Sequence, residues 1–207
     1  MKIVCLDLEG VLVPEIWIAF SEAAGIPELR RTTRDEPDYD KLMSFRIAIL
    51  KERRFTLADI QKVIAGIEPL PGAKAFTASL REVAQLIILS DTFEQFASPL
   101  MAKLDYPTLF CNTLETDGSG AITGYKLRQQ NGKFHAVHAF KSMGMRVFAA
   151  GDSFNDLAMI EAADDGTLFR APPSIRQTHG HITSTETYAE LRARIDEFLR
   201  SLPANKI

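Results

Sequence analysis

The chain has little of what several functional classes require. Only two of its 207 residues are cysteine, Cys5 and Cys111. A disulfide-stapled secreted domain is therefore not expected, and two reduced core thiols in apolar strand-like surroundings are. Basic excess is missing too: Lys and Arg number 24 against 27 Asp and Glu, a formal net charge of −3. No basic stripe offers itself to a phosphate backbone, so a nucleic-acid partner is not expected. No stretch approaches the roughly 20 apolar residues of a membrane span. The apolar run near the N-terminus is broken by Asp7 and Glu9, which argues against a signal peptide. Repeats and low-complexity tracts are lacking as well. These absences lead to the expectation of a soluble, cytoplasmic protein. With 46% hydrophobic residues it can build a full core without staples.

What is present is an alternation of short apolar runs and helical periodicity. Residues 2–7 predict a buried strand ending in an acidic turn. Ile16, Ile18, Ala19, Ala23 and Ala24 fall on one helical face that ends near Gly25. Leu42, Phe45, Ile49 and Leu50 predict a second helix between Asp38 and Arg53, and Thr56 caps a third ending near Gly66. Residues 14–68 thus read as a helical block without a strand. After Pro69-Leu70-Pro71-Gly72 the pattern becomes strand–helix units. Helices are expected at 72–84, 93–104, 132–143, 155–163 and 185–201. Strands are expected at 85–89, 108–110, 145–150 and 167–169. Ser90-Asp91-Thr92 reads as a turn and cap, and Thr116–Gly120 as the turn of a hairpin. The fold class is α/β: a three-layer, Rossmann-like parallel sheet core with a small helical cap inserted after strand one. The core would comprise 1–13 and 69–207, and the cap 14–68.

The chemistry gathers at the ends of these strands, where open parallel sheets bind ligands. Asp7-Leu8-Glu9-Gly10-Val11 follows the first strand, and Gly151-Asp152-Ser153-Phe154-Asn155-Asp156 follows a later one. If the two strands are neighbours, their carboxylates converge into a place for a divalent cation and a carboxylate nucleophile. Asp7 and Glu9 can also divide nucleophilic and acid–base work, or be a polar strand end. Asn155 and Asp156 can be an ordinary helix start. Ser90, after an apolar strand, offers a hydroxyl and N–H groups to a phosphoryl oxygen, or simply caps a helix. Lys133, beside Gly132 at a helix start, is a candidate phosphate clamp or a surface charge.

Taken in order, Asp7-x-Glu9-Gly10-Val11, Ser90, Lys133 and Gly151-Asp152-x-x-Asn155-Asp156 resemble the four motifs of the haloacid dehalogenase superfamily, over nearly the whole chain. Glu15 and Arg46 are similar to the cap residues with which phosphoserine phosphatases meet the substrate amine and carboxylate. Glu15 at a helix start also favours the helix dipole, and Arg46 can equally be a solvated helix residue. Glu9 stands where the family normally has Asp, and Asp91 where many relatives have Gly. The Asp-Leu-Glu-Gly-Val motif with this cap is similar to the branch that also transfers phosphate from phosphoserine to homoserine.

This resemblance implies a Mg²⁺-dependent reaction through an aspartyl phosphate on Asp7, with Glu9 as acid–base. Mg²⁺ would be held by Asp7, the Glu9 backbone carbonyl and Asp152, with Asp156 orienting that shell. Ser90, Lys133 and Asn155 would hold the phosphoryl oxygens; Glu15 and Arg46 would bind the amino acid. Phosphoserine and homoserine are the implied partners, in serine and threonine metabolism, and a homodimer is the assembly it admits. Three other readings remain: a phosphatase of this superfamily for another small phosphate, a receiver-type phospho-accepting module, and a non-catalytic binding protein. The 14–68 helical insert is foreign to a receiver, and the full motif set argues against the last.

Overall fold

The computed structural model describes residues 1–32, 35–36 and 38–201. Of the ranges expected from sequence, positions 33, 34, 37 and 202–207 lie outside it.

β1 (Lys2–Leu6) lies at the centre of the sheet, with β2 (Gln85–Phe93) on one side and β5 (Arg146–Gly151) on the other. β3 (Thr108–Thr116) and β4 (Ile122–Lys126) extend the β2 edge; β6 (Asp165–Phe169) and β7 (Ser184–Thr185) extend the other. The described strands run in the order β4-β3-β2-β1-β5-β6-β7, with β4 antiparallel to β3 and the rest parallel. The switch in connection direction therefore falls at β1. Chain ends leaving β1 and its two neighbours must open a crevice there.

Strand periodicity explains the three layers. Val4, Leu6, Leu86, Ile88, Phe148 and Ala150 face one core. Ile3, Cys5, Ile87, Leu89, Val147 and Ala149 face the other. The first is covered by α4 (Ala73–Arg81), α5 (Glu94–Lys103) and α9 (Tyr188–Arg200), through Phe76, Phe96, Leu191 and Phe198. The second is covered by α6 (Gly132–Ser142), α7 (Leu157–Ala162) and α8 (Pro173–Thr178), through Val137, Phe140, Met159 and Ile175.

The helical block contains α1 (Ile16–Ala24), α2 (Tyr39–Glu52) and α3 (Leu57–Ile64). Its apolar stripes join the first core: Trp17 and Phe20 from α1, Met43 and Leu50 from α2, Ile60 and Ile64 from α3. Each such large side chain contributes about 1.5–3 kcal/mol on burial. Trp17 meets Phe96 of α5 edge to face at 5.4 Å. The β3–β4 hairpin, which the sequence leaves without a role, ties this block down. Leu57 N–H donates to the Gly120 carbonyl at 2.8 Å, Thr56 bridges Ala121, and the Tyr125 hydroxyl bonds Asp40.

The expected cap at Thr56 forms, α1 ends left-handed at Gly25, and Asp38, which opens the second helical range, proves to cap α2 by accepting from Lys41 N–H. Ser90-Asp91-Thr92 is corrected: these residues are neither turn nor helix cap. They continue β2, because β3 keeps pairing past them and meets Phe93 through Asn112 after a register shift. The N-cap of α5 is Phe93, without a side-chain cap bond. The β2–β3 pairing reaches Asn112, and pairing with β4 from Thr113 to Thr116 extends β3 further beyond the expected 108–110. A short 3₁₀ turn, Phe154–Asp156, precedes α7, and α8 and β7, unforeseen from sequence, fill the far edge. The last helix starts at Tyr188 because Thr187 and Glu190 form a reciprocal capping box. Among the described residues no helix is long and apolar enough to cross a membrane.

Candidate active site

Asp7 stands one residue past β1, its N–H still bonded to the Ala150 carbonyl of β5 at 3.0 Å. The chain then reverses tightly: Leu12 and Val13 N–H donate to the Leu8 carbonyl, and Gly10 N–H to that of Val13. Gly10 makes this possible at φ +74°, and its bare α-carbon admits Asp152. A Cβ there would lie 2.3 Å from Asp152 Oδ2. The loop is anchored from outside by the Tyr188 hydroxyl, which donates to the Val11 carbonyl at 2.6 Å.

Gly151 does the same at the end of β5. A Cβ on it would sit 2.2 Å from Asp156 Cγ. Asp156, fully buried, is thereby folded back under its own loop. Its Oδ2 accepts from Asp152 N–H, Ser153 N–H and the Ser153 hydroxyl, each at 3.0 Å. Its Oδ1 accepts from Lys133 Nζ at 2.7 Å. Lys133 enters from the first turn of α6, buried, and reaches Asp7 Oδ1 at 2.9 Å and Asp91 Oδ2 at 3.6 Å. The predicted convergence of the two acidic motifs is therefore met, with Lys133 between them.

Packing these charges together moves their protonation equilibria. Burial lifts the Asp7 carboxyl well above the usual carboxylate range, Asp156 and Asp152 add to this, and Lys133 opposes it. Asp152 is pushed up to about 7, first by burial and then by Asp156 and Glu15. Burial would lower Lys133, but the Asp156, Asp7 and Asp91 carboxylates outweigh it and hold the ammonium above its ordinary value.

Asp7, Asp152 and Asp156 each present a carboxylate oxygen, all within 4.8 Å of one another. Hard oxygen donors, excess buried negative charge and the space kept by Gly10 fit a divalent cation of the Mg²⁺ kind. Asp156 already has hydrogen bonds on both oxygens, which suits it to orienting that group rather than binding directly. The Glu9 carboxylate is outside it; Glu9 Oε1 instead accepts from Ile16 N–H at 2.8 Å. So Glu9, not Glu15, caps α1, whose N-cap residue Glu15 makes no side-chain cap bond. Burial, then repulsion from Glu15, raises the Glu9 carboxyl to about 7, in the range of a proton donor at neutral pH.

Ser90 is buried in the irregular stretch of β2, its Oγ accepting from Thr92 N–H at 3.2 Å. Asp91 follows it, and its Oδ2 accepts from Asn155 Nδ2 at 2.6 Å. Lys133 and Asn155 therefore meet at Asp91. Glu15 is exposed at the start of α1. Arg46 is not a solvated helix residue: it is only 6% exposed, lying over the Trp17 ring at 4.4 Å. One terminal nitrogen donates to the Arg31 carbonyl at 2.8 Å, while its buried Nε has no hydrogen-bond partner. Burial lowers Arg46 to about 10 against the pull of Tyr39, Glu9 and Glu15, which face it. The structure thus gathers Glu9, Glu15 and Arg46 on the helical side of Asp7.

Two polar residues of this region escape sequence reasoning. Tyr39 points its hydroxyl at the Asp91 carbonyl, 3.4 Å away. It lies seven residues before Arg46, on the same face of α2, a spacing that could have drawn attention to it. Asn112 donates to the same carbonyl at 2.9 Å. No local pattern marks it, since its role depends on the β2–β3 register.

Residues 1–164 match the family model described as haloacid dehalogenase-like hydrolase. A Pseudomonas aeruginosa protein named phosphoserine phosphatase ThrH is 52% identical over 201 residues, covering 97% of each chain. A phosphoserine phosphatase of Pseudomonas syringae pv. tomato is 50% identical over 201 residues, 97% of this chain and 84% of that one. Among solved structures, a phospho-aspartyl intermediate analogue of phosphoserine phosphatase superposes with a TM-score of 0.75 at 20% identity, over 95% of this chain and 98% of that one. That likeness concerns the fold.

Proposed function

This chain belongs to the haloacid dehalogenase-like hydrolase family, and we propose that it moves the phosphoryl group of phosphoserine, through an aspartyl phosphate on Asp7, to water and to homoserine. The observation that supports this is the meeting of Asp7, Asp152 and Asp156, with the Lys133 ammonium against Asp7 and Asp156. The names of the relatives at 52% and 50% identity support the phosphoserine half; the Glu9-containing motif supports the homoserine half.

Mg²⁺, held by Asp7, the Glu9 carbonyl and Asp152 with Asp156 orienting them, would supply positive charge to the phosphoryl oxygens. Asp7 attacks phosphorus in line with the seryl oxygen, and Glu9 protonates that oxygen as it leaves. Glu9 then takes the proton from the water or the homoserine hydroxyl that attacks the aspartyl phosphate. Lys133, Ser90 and Asn155 hold the phosphoryl oxygens, where stabilising spread charge is most of the catalytic task. Glu15 receives the α-ammonium and Arg46 the α-carboxylate. The unpaired Nε of Arg46, buried beside Trp17, supports the latter, because a fork of N–H donors suits a carboxylate. Residues 14–68 act as a cap over the 1–13 and 69–207 core, and excluding bulk water there lets an amino-acid hydroxyl compete with water. The setting is cytoplasmic, with small-molecule substrates.

The purified protein with Mg²⁺ and phosphoserine should release inorganic phosphate, and added homoserine should divert part of it into phosphohomoserine. Hydrolysis of a generic aryl phosphate with none of phosphoserine would reject the substrate. Arg46→Ala should lower kcat/KM for phosphoserine by about a hundredfold, the scale of losing one buried charge partner. The same variant should lose less than about threefold on the aryl phosphate, by the same reasoning, since that substrate has no α-carboxylate. Equal losses on both substrates would remove Arg46 from recognition.

A further inference from the structure

Asp91 has no part in the mechanism above, yet its side chain meets two of the groups that mechanism uses. Oδ2 of Asp91 accepts from Asn155 Nδ2 at 2.6 Å and lies 3.6 Å from Lys133 Nζ. The placement is built. In the irregular part of β2, the Asp91 carbonyl accepts from buried Asn112 Nδ2 at 2.9 Å and from the Tyr39 hydroxyl at 3.4 Å. Arg128 N–H fixes the Asn112 amide by donating to its Oδ1 at 3.0 Å. An irregularity of this sort re-aims a side chain next to a site. The Asp91 backbone is thus held from β3 and α2, while its carboxylate, 46% exposed, can rotate toward solvent.

We propose that Asp91 sets the phosphate affinity of the site: its carboxylate occupies the phosphate donors Lys133 and Asn155 in the resting enzyme and competes with incoming phosphate for them. The inference rests on the assignment of Lys133 and Asn155 to phosphate binding. A carboxylate and a phosphoryl group want the same N–H donors and repel each other at that range. Phosphate must therefore displace Asp91, which weakens binding of the ester and of free phosphate alike. A phosphate ester that also engages the helical side of the site can offset the displacement. Free phosphate cannot, so it is expelled after turnover.

The test is the affinity of inorganic phosphate for the Mg²⁺-loaded protein, by calorimetry and as an inhibition constant, with the KM for phosphoserine measured alongside. Asp91→Asn should tighten phosphate binding about tenfold or more and lower KM, the scale expected for removing one like charge. Asp91→Gly, which deletes the side chain altogether, should do the same and serves should the first variant fold poorly. Asp91→Glu keeps the charge and should stay near wild type. Unchanged or weaker phosphate binding in the neutral variants, with normal phosphoserine turnover, would overturn the role of Asp91 alone. Tightened phosphate binding without phosphoserine turnover in any variant would support it while removing the substrate assignment.

Discussion

Asp7→Asn should fold and should hydrolyse phosphoserine at least about 10⁴-fold more slowly, the scale of removing a covalent nucleophile. Wild-type protein quenched during turnover of labelled phosphoserine should carry one hydroxylamine-sensitive phosphoryl group; the variant should carry none. Folding should survive because Asn fills the same volume, and because Lys133 keeps its 2.7 Å bond to Asp156 when the Asp7 charge is gone. The carboxamide that replaces the Asp7 carboxylate is a poor nucleophile, and Glu9, two residues on, is turned to the start of α1 by its bond from Ile16 N–H. Undiminished turnover, or retained labelling, would move the nucleophile elsewhere and with it the roles of Glu9 and Lys133.

Lys133→Met should separate stability from catalysis at the same position. Methionine preserves length and apolar volume but removes the ammonium, leaving Asp7 and Asp156 buried side by side. Breaking a buried pair by removing one partner destabilises by about 3–5 kcal/mol, which for a chain of this size lowers Tm by about 6–20 °C. The metal-free variant should show this loss in full. Adding Mg²⁺ should raise its Tm by more than it raises that of the wild type, because a cation among Asp7, Asp152 and Asp156 answers the same unpaired charge. Phosphoserine turnover should stay low even with Mg²⁺, since the lysine proposed to clamp the phosphoryl oxygens is gone. Metal-free Lys133→Met as stable as the wild type would show that this ammonium is not balancing buried carboxylates.

Much of the chemistry could be read without coordinates, and the reason is local. Asp7-Leu8-Glu9-Gly10 and Gly151-Asp152 follow apolar runs that can only be buried strands, so their acids had to stand at strand ends. The two glycines are needed within the same short segments, because each leaves room for a carboxylate that a Cβ would strike. Helices α1, α2 and α3 were legible through 3.6-residue spacing, the Thr56 cap and Gly25. The misreadings share a different cause. Ser90–Thr92 carry turn-forming side chains, but hydrogen bonding to a strand some twenty residues later overrides that preference and keeps the chain extended. The bond from Ile16 N–H to Glu9 was hidden for the same reason, since it forms only once the loop after β1 brings Glu9 back to the start of α1.

The sequence by itself determined which groups this protein brings to bear: acids at two strand ends, a lysine at a helix start, a block of three helices between the first strand and the rest. Those features follow from propensities and periodicities set within a few residues. The tertiary structure decided which groups touch. β1 lies between β2 and β5, so Lys133 balances Asp7 and Asp156, Arg46 is stripped of water against Trp17, and Asp91 lies on Asn155. Contacts across 23 to 126 positions of chain, and the desolvation that gives them their strength, exist only once the sheet has closed its order, because burial belongs to the packed whole and not to any segment of it.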